Sequence, residues 1–219
     1  MSNFSRPYLL AALAFVAVMA GLVGGPRNPI DVAALQWLAR IRDFSPHLTS
    51  FVAILTQLGS AYATLGLGFA ASLWLLWRGQ RDKALLLAVA VAGERLVMDG
   101  LKLAIGRSRP PLEDIAALPQ SSSFPSGHSG NSMAVFVSIA LIAAPPAWRK
   151  AAAIFAMLMS VLIGLTRPYL RVHWPSDVIG GWAFGLMAAG IAFAWGQRSG
   201  AIEAQHEVVG GHLPTVRED

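Results

Sequence analysis

Six apolar blocks, each close to the length of a membrane crossing, constrain this chain more than any other feature. They run Tyr8–Gly25, Ala61–Trp77, Ala84–Lys102, Ser129–Ala144, Ala151–Thr166 and Val178–Trp195, against the ~17–25 residues that a transmembrane helix needs. The fourth and fifth are short, but each can borrow flanking residues. Composition argues the same way. Of the residues, 55% are hydrophobic and 13% charged, about half the charge of an ordinary soluble domain. A soluble bundle of buried helices would not need six such blocks with polar punctuation between them. The expected fold is therefore all-α: an integral membrane bundle of six transmembrane helices in one domain, residues 1–196, followed by a mobile cytoplasmic tail, residues 197–219. Between the first two spans, Asp31–Phe44 carries Val32, Leu35 and Leu38 at helical spacing and reads as a short interfacial helix. Thr56–Ser60 contains a glycine that breaks the helix before span two. No internal repeat and no attached soluble domain is visible.

Orientation follows from the short loops. Arg78, Arg81 and Lys83 lie between spans two and three, and Arg149 and Lys150 between spans four and five. Short loops rich in Lys and Arg stay in the cytoplasm, and Trp77, Trp148 and Trp195 mark the same interface. Both termini are then cytoplasmic and the remaining connections face the periplasm or the exterior, which places the chain in the cell (inner) membrane. The first block also resembles a signal peptide with a weak cleavage site at Val18-Met19-Ala20. Its apolar stretch is longer than a signal core, so a retained span is the reading taken.

There are no cysteines, which removes thiol and cysteine–metal chemistry. A net charge of +5 can signal nucleic acid, but these cations are scattered over loops on both faces, so no nucleic-acid partner is expected. His206 and His212 in the tail, and His47 in a loop, form no recognisable metal-ligand pattern. Glu113, Asp114 and Asp99 form no two-metal carboxylate pattern, and no metal is implied. Glu94, Arg95 and Asp99 stand inside span three, where charge is expensive. They read either as a mutual ion pair or as support for Lys102.

The chemistry concentrates in Thr166-Arg167-Pro168-Tyr169-Leu170-Arg171-Val172-His173-Trp174-Pro175-Ser176-Asp177. Pro175 suits the first turn of a helix, and residues four apart share a helix face. Asp177 is thus in place to accept a hydrogen bond from one ring nitrogen of His173 and leave the other free to attack. Upstream, Lys102 is followed by Gly106-Arg107-Ser108-Arg109-Pro110, and Phe124-Pro125-Ser126-Gly127-His128 opens span four. All of these fall on the predicted outward face.

Taken in order, Lys-x6-Arg-Pro, Pro-Ser-Gly-His and Arg-x5-His-x3-Asp resemble the type 2 phosphatidic acid phosphatase (PAP2) family, which shares its site with acid phosphatases and vanadium haloperoxidases. Thr166 stands where the family usually has Ser before the arginine, and a hydroxyl is retained. The resemblance implies a membrane lipid phosphatase. His173 would attack phosphorus to give a phosphohistidine, Asp177 would hold its tautomer, and His128 would protonate the leaving oxygen and then activate water. Lys102, Arg109 and Arg167 would bind phosphate, arginine offering a planar fork. Ser126 and Gly127 would add N–H donors at a helix start, Gly127 letting backbone approach closely. No cofactor is implied and no obligatory protein partner is evident. Six spans suggest a lipid phosphate substrate: undecaprenyl diphosphate, phosphatidic acid or phosphatidylglycerol phosphate. A binding or transport protein that keeps the phosphate pocket without turnover is the alternative class. The histidine pair argues against it, since pure binding needs only cations and amides.

Overall fold

The computed structural model describes residues 28–43, 46–111 and 121–202. The first apolar block with its cleavage-like site, Glu113, Asp114, and the tail with His206 and His212 lie outside the described residues. Within them the chain forms seven α-helices: α1 Pro29–Asp43, α2 Pro46–Leu55, α3 Ala61–Trp77, α4 Arg81–Ile105, α5 Gly127–Ala143, α6 Pro146–Tyr169 and α7 Pro175–Arg198, with a 3-10 turn at Thr56–Gly59. Apolar blocks two to six each coincide with one of the last five helices. By length and composition, α6 and α7 can each cross a membrane, and the α2 segment with α3, bent by 47°, makes up to a third. The α4 helix carries Glu94, Arg95 and Asp99 within its apolar stretch, and α5 is shorter, at 17 residues.

The break before α3 lies where Gly59 suggests it. Ser60 then caps α3, its hydroxyl accepting the Ala63 N–H. The α1 helix starts two residues earlier than the apolar spacing suggests. Pro29 occupies its first position and Asn28 Oδ1 accepts the Ile30 N–H at 2.9 Å, both favourable at a helix start. Leu35 turns inward from α1, while Ile30 and Trp37 stay exposed, as an interfacial helix requires.

The hub is α5, which packs against α3, α4, α6 and α7 and is buried along most of its length. Small residues permit its approach to α7: a Cβ on Gly185 would stand 2.4 Å from the Gly130 carbonyl oxygen. Close backbone contact of this kind is how helices associate where lipid removes the hydrophobic drive. Gly185→Ala should therefore cost about 1–3 kcal/mol through overpacking. Gly66→Ala, on α3 with nothing within 4 Å of its would-be Cβ, should be neutral or stabilising. Thermal unfolding of the two variants in detergent checks the contrast, and equal midpoints would contradict the packing argument.

Chain direction gathers the C-terminal ends of α4 and α6 with the N-terminal ends of α5 and α7. The opposite end carries the exposed Trp77, Trp148 and Trp195. Arg149 differs from its reading as a loop cation. The α6 helix begins at Pro146, so Arg149 sits in its first turn, 1% exposed, with its guanidinium 5.6 Å from the Phe193 ring. It is a packing cation, and Arg78, Arg81, Lys83 and Lys150 are left to carry the charge asymmetry. In α4 the Arg95–Asp99 ion pair forms at 2.7 Å. Glu94 is not part of it: its side chain is buried and Oε1 finds no hydrogen-bond partner.

Candidate active site

Each functional side chain is delivered by a helix end or by the turn beside it. Gly106 ends α4 in the left-handed conformation, φ 62°, the usual glycine stop. It sends Arg107–Arg109 back across the bundle. Pro168 sits inside the last turn of α6, and Arg171, φ 59°, turns the chain toward His173. The α7 helix begins at Pro175, as the missing proline N–H suggests.

The His173–Asp177 contact forms, by a route other than a shared helix face. His173 lies one residue outside the cap of α7. Asp177, in the first turn, folds back so that Oδ2 accepts the Trp174 N–H at 2.9 Å, and this leaves Oδ2 3.4 Å from His173 Nδ1. That is longer than a formed hydrogen bond; such contacts in ligand-free sites commonly tighten with substrate. On the other side of the ring, Arg109 Nη1 lies 3.1 Å from His173 Nε2. A guanidinium can only donate. Nε2 is therefore the acceptor, with its lone pair outward, and the ring proton belongs on Nδ1 facing Asp177. Burial pushes the His173 imidazole down to about 4, with Asp177 opposing the shift. The ring is neutral throughout the neutral range.

Arg109 and Arg167 act on this ring, and Lys102 stands near Arg109. Arg109 is held by the Val172 carbonyl at 2.7 Å and the Ser121 carbonyl at 3.2 Å, and Lys102 Nζ donates to the Ser122 carbonyl at 3.0 Å. Arg167 donates through Nη1 to Thr56 Oγ1 at 2.7 Å, while its buried Nε has no hydrogen-bond partner. A buried donor left open beside a histidine is a place for an anion. Thr166 Oγ1 lies 2.8 Å from Thr56 Oγ1, so the hydroxyl before Arg167 holds the residue on which that arginine rests.

At the start of α5, Ser126 departs from its expected use. Its N–H donates to the Asp177 carbonyl at 3.0 Å and is committed to tying α5 to α7. Its hydroxyl accepts from Ser129 at 3.0 Å, which leaves the Ser126 proton to donate. No side chain caps the first turn of α5, so the amides from Gly127 onward are the helix-end donors. A Cβ on Gly127 would meet only Lys102 Cε, at 3.7 Å, so the space above this backbone opens onto a cation. His128, next along α5, packs its backbone on the 3-10 turn at Gly59. It lies close enough to Arg167, His173, Lys102 and Arg109 to feel each of them. The structure thus gathers Lys102, Arg109, Ser126, Gly127, His128, Arg167, His173 and Asp177 at one end of the bundle. His47 stays apart on α2, and among the described residues no group of three or more His, Asp or Glu side chains is placed to hold a metal ion.

Four residues here escaped the sequence reading: Asp31, Thr56, Arg107 and Ser123. Arg107 was visible, two positions from Arg109, but the Lys-x6-Arg-Pro spacing singles out Arg109 and gives Arg107 no task. Asp31 and Thr56 lie far from their partners along the chain, and only folding reveals them.

The chain is similar to several known proteins. The PAP2 superfamily model matches residues 83–201. The chain is 34% identical to phosphatidylglycerophosphatase B of Bacillus subtilis over 182 residues, covering 80% of this chain and 87% of that one. It is 25% identical to an undecaprenyl-diphosphatase of Sulfolobus acidocaldarius, covering 81% and 84%. The crystal structure of a transmembrane PAP2 type phosphatidylglycerolphosphate phosphatase from Bacillus subtilis superposes with TM-score 0.74 at 28% identity, covering 90% of this chain and 98% of the other.

Proposed function

The chain belongs to the PAP2 superfamily, and from that premise we propose that it is an integral membrane lipid phosphatase working through a phosphohistidine. The substrate is a lipid phosphate or diphosphate, with undecaprenyl diphosphate, phosphatidic acid and phosphatidylglycerol phosphate as the candidates. The reading includes six spans within residues 1–196, a cytoplasmic tail from residue 197, both termini in the cytoplasm and the site on the outer face. The observation that carries it is the His173 ring: Nε2 faces Arg109 at 3.1 Å and Nδ1 faces a buried carboxylate. Binding alone has no use for an oriented lone pair among cations.

The steps follow. Lys102, Arg109, Arg167 Nε, the Ser126 hydroxyl and the first-turn amides of α5 take the nonbridging oxygens, where charge must be stabilised during transfer. Phosphate draws Arg109 off Nε2 and presents phosphorus to the same nitrogen. Nε2 forms the P–N bond as the P–O bond to the lipid alcohol or lipid phosphate breaks. Burial, with Arg167 beside it, holds the His128 imidazole down to about 3 in the free site. The bound phosphate dianion raises it, so that His128 carries the proton that it donates to the departing oxygen. Asp177 faces the Nδ1–H of the ring that is now cationic. Water, deprotonated by His128, then attacks phosphorus, breaks the P–N bond and releases phosphate.

A panel of lipid phosphates offered to purified protein in detergent with EDTA tests the class. Phosphate release with a lipid preference is expected, and vanadate should inhibit by imitating phosphorus under attack. Transport without phosphate release would refute catalysis. Activity lost in EDTA and restored by a divalent cation would refute charge stabilisation by lysine and arginine alone. Sidedness is separate: right-side-out vesicles should hydrolyse an added short-chain lipid phosphate, and latency there would reverse the topology.

A further inference from the structure

The catalytic carboxylate is one end of a buried chain of charges that the reaction steps above leave unused. Arg107 donates through Nη1 to Asp177 Oδ1 at 2.5 Å and through Nη2 to Asp31 Oδ2 at 2.9 Å. All three side chains are at most 5% exposed. Asp31 comes from the first turn of the interfacial helix α1, and its carboxylate also takes the Ser176 N–H at 2.9 Å and the Ser176 hydroxyl. The Arg107 guanidinium lies over the Trp174 ring at 5.6 Å. Asp177 Oδ2 is occupied separately by Trp174 N–H and by the Ser123 hydroxyl. Two carboxylates therefore share one guanidinium, out of water, directly behind His173.

We propose that Asp31 and Arg107 are positioning residues for the phosphoryl transfer, setting both the placement and the net charge of Asp177. With Asp31⁻, Arg107⁺ and Asp177⁻ the chain carries one net negative charge, which faces the His173 ring. Forming the P–N bond makes that ring cationic, so the assembly becomes neutral as the phosphohistidine forms. Without Asp31, Arg107 would belong to Asp177 alone. The pair would already be neutral, and no net charge would remain for the imidazolium. In a buried setting a charge imbalance of this kind is felt strongly. The second effect is mechanical. Asp31 pins the start of α1 to the start of α7, so the interfacial helix clamps the turn that presents His173.

The inference rests on the phosphohistidine reading, and its test separates the two. Full-length Asp31→Asn, Arg107→Gln and the double variant are assayed on a lipid phosphate that the wild type hydrolyses. Wild-type inactivity on every lipid phosphate would sink the proposed function and this proposal with it, whereas an active wild type with an unaffected Asp31→Asn sinks this proposal alone. Asp31→Asn keeps the shape and removes the charge; kcat should fall on the order of 10- to 100-fold, with KM within about threefold. Rapid quench should show slower phosphoenzyme formation. Adding Arg107→Gln returns the buried set to one net negative charge, and the double variant should recover a clear part of the lost kcat. A clamp with no electrostatic role predicts the reverse, a double variant slower than either single one, and that result overturns the charge assignment. Wild-type turnover by Asp31→Asn overturns the whole proposal. Should Asp31→Asn fail to fold, Asp31→Glu decides: it retains the charge and should keep kcat within about tenfold of wild type, whereas a loss as deep as that of His173→Ala refutes a positioning role.

Discussion

His173→Ala should abolish turnover, with a loss of about 10⁴-fold or more in kcat, while the folded protein and its affinity for a lipid phosphate survive. Removing the nucleophile from an assembled site leaves only binding and electrostatic stabilisation, which are worth far less than the intact set. The fold should tolerate the change because His173 lies in the turn between α6 and α7, outside both helices. Rapid-quench labelling of the wild type should place phosphate on His173. Since burial holds the free ring down to about 4, its unprotonated, attacking form is lost only as pH falls through that value. The acid limb of kcat/KM that reports His173 should therefore lie near 4, well below the ~6.5 of an exposed histidine. Multiple turnovers by purified His173→Ala would end the assignment.

His128→Ala should lose about 10²–10⁴-fold, and the loss should depend on the leaving group. A lipid alcohol departs as a poor alkoxide and needs its proton, whereas a lipid phosphate leaving from a diphosphate needs much less help. The monophosphate substrate should suffer the larger drop, and the gap should narrow in the breakdown step, where the attacking water is common to both. Equal losses on the two substrates would make His128 a binding or positioning group. His128 stands at the start of α5, where burial and the neighbouring Arg167, Lys102 and Arg109 hold its imidazole low, so its acid role depends on a bound phosphate to raise it.

The all-helical architecture, the helices of the last five apolar blocks, the break at Gly59 and the helix α1 were legible because each depends on local rules. Apolar length, proline and glycine placement and helix period act within a few residues. The candidate residues were named through motifs that resemble the PAP2 family, and the structure brings Lys102, Arg109, His128, Arg167, His173 and Asp177 to helix ends and the turns beside them. Asp177 illustrates where that reasoning stops. Its spacing from His173 suggested a shared helix face, yet it reaches the ring by turning back to cap Trp174, a contact set by the loop's path.

What only the tertiary structure decided is which polar groups are spent and which are left. The Ser126 N–H, read as a phosphate donor, is taken by the Asp177 carbonyl. Arg149, read as a loop cation, is buried against Phe193. Arg107, which the Lys-x6-Arg-Pro motif passes over in favour of Arg109, bridges Asp31 and Asp177. Burial makes every polar partner compulsory, and partners distant in sequence are chosen by how helices pack. The sequence by itself determined the helices and, through the family resemblance, named the residues that gather at one end of the bundle. Packing determined the charge state behind His173, because a carboxylate from α1 reaches it only when the bundle closes.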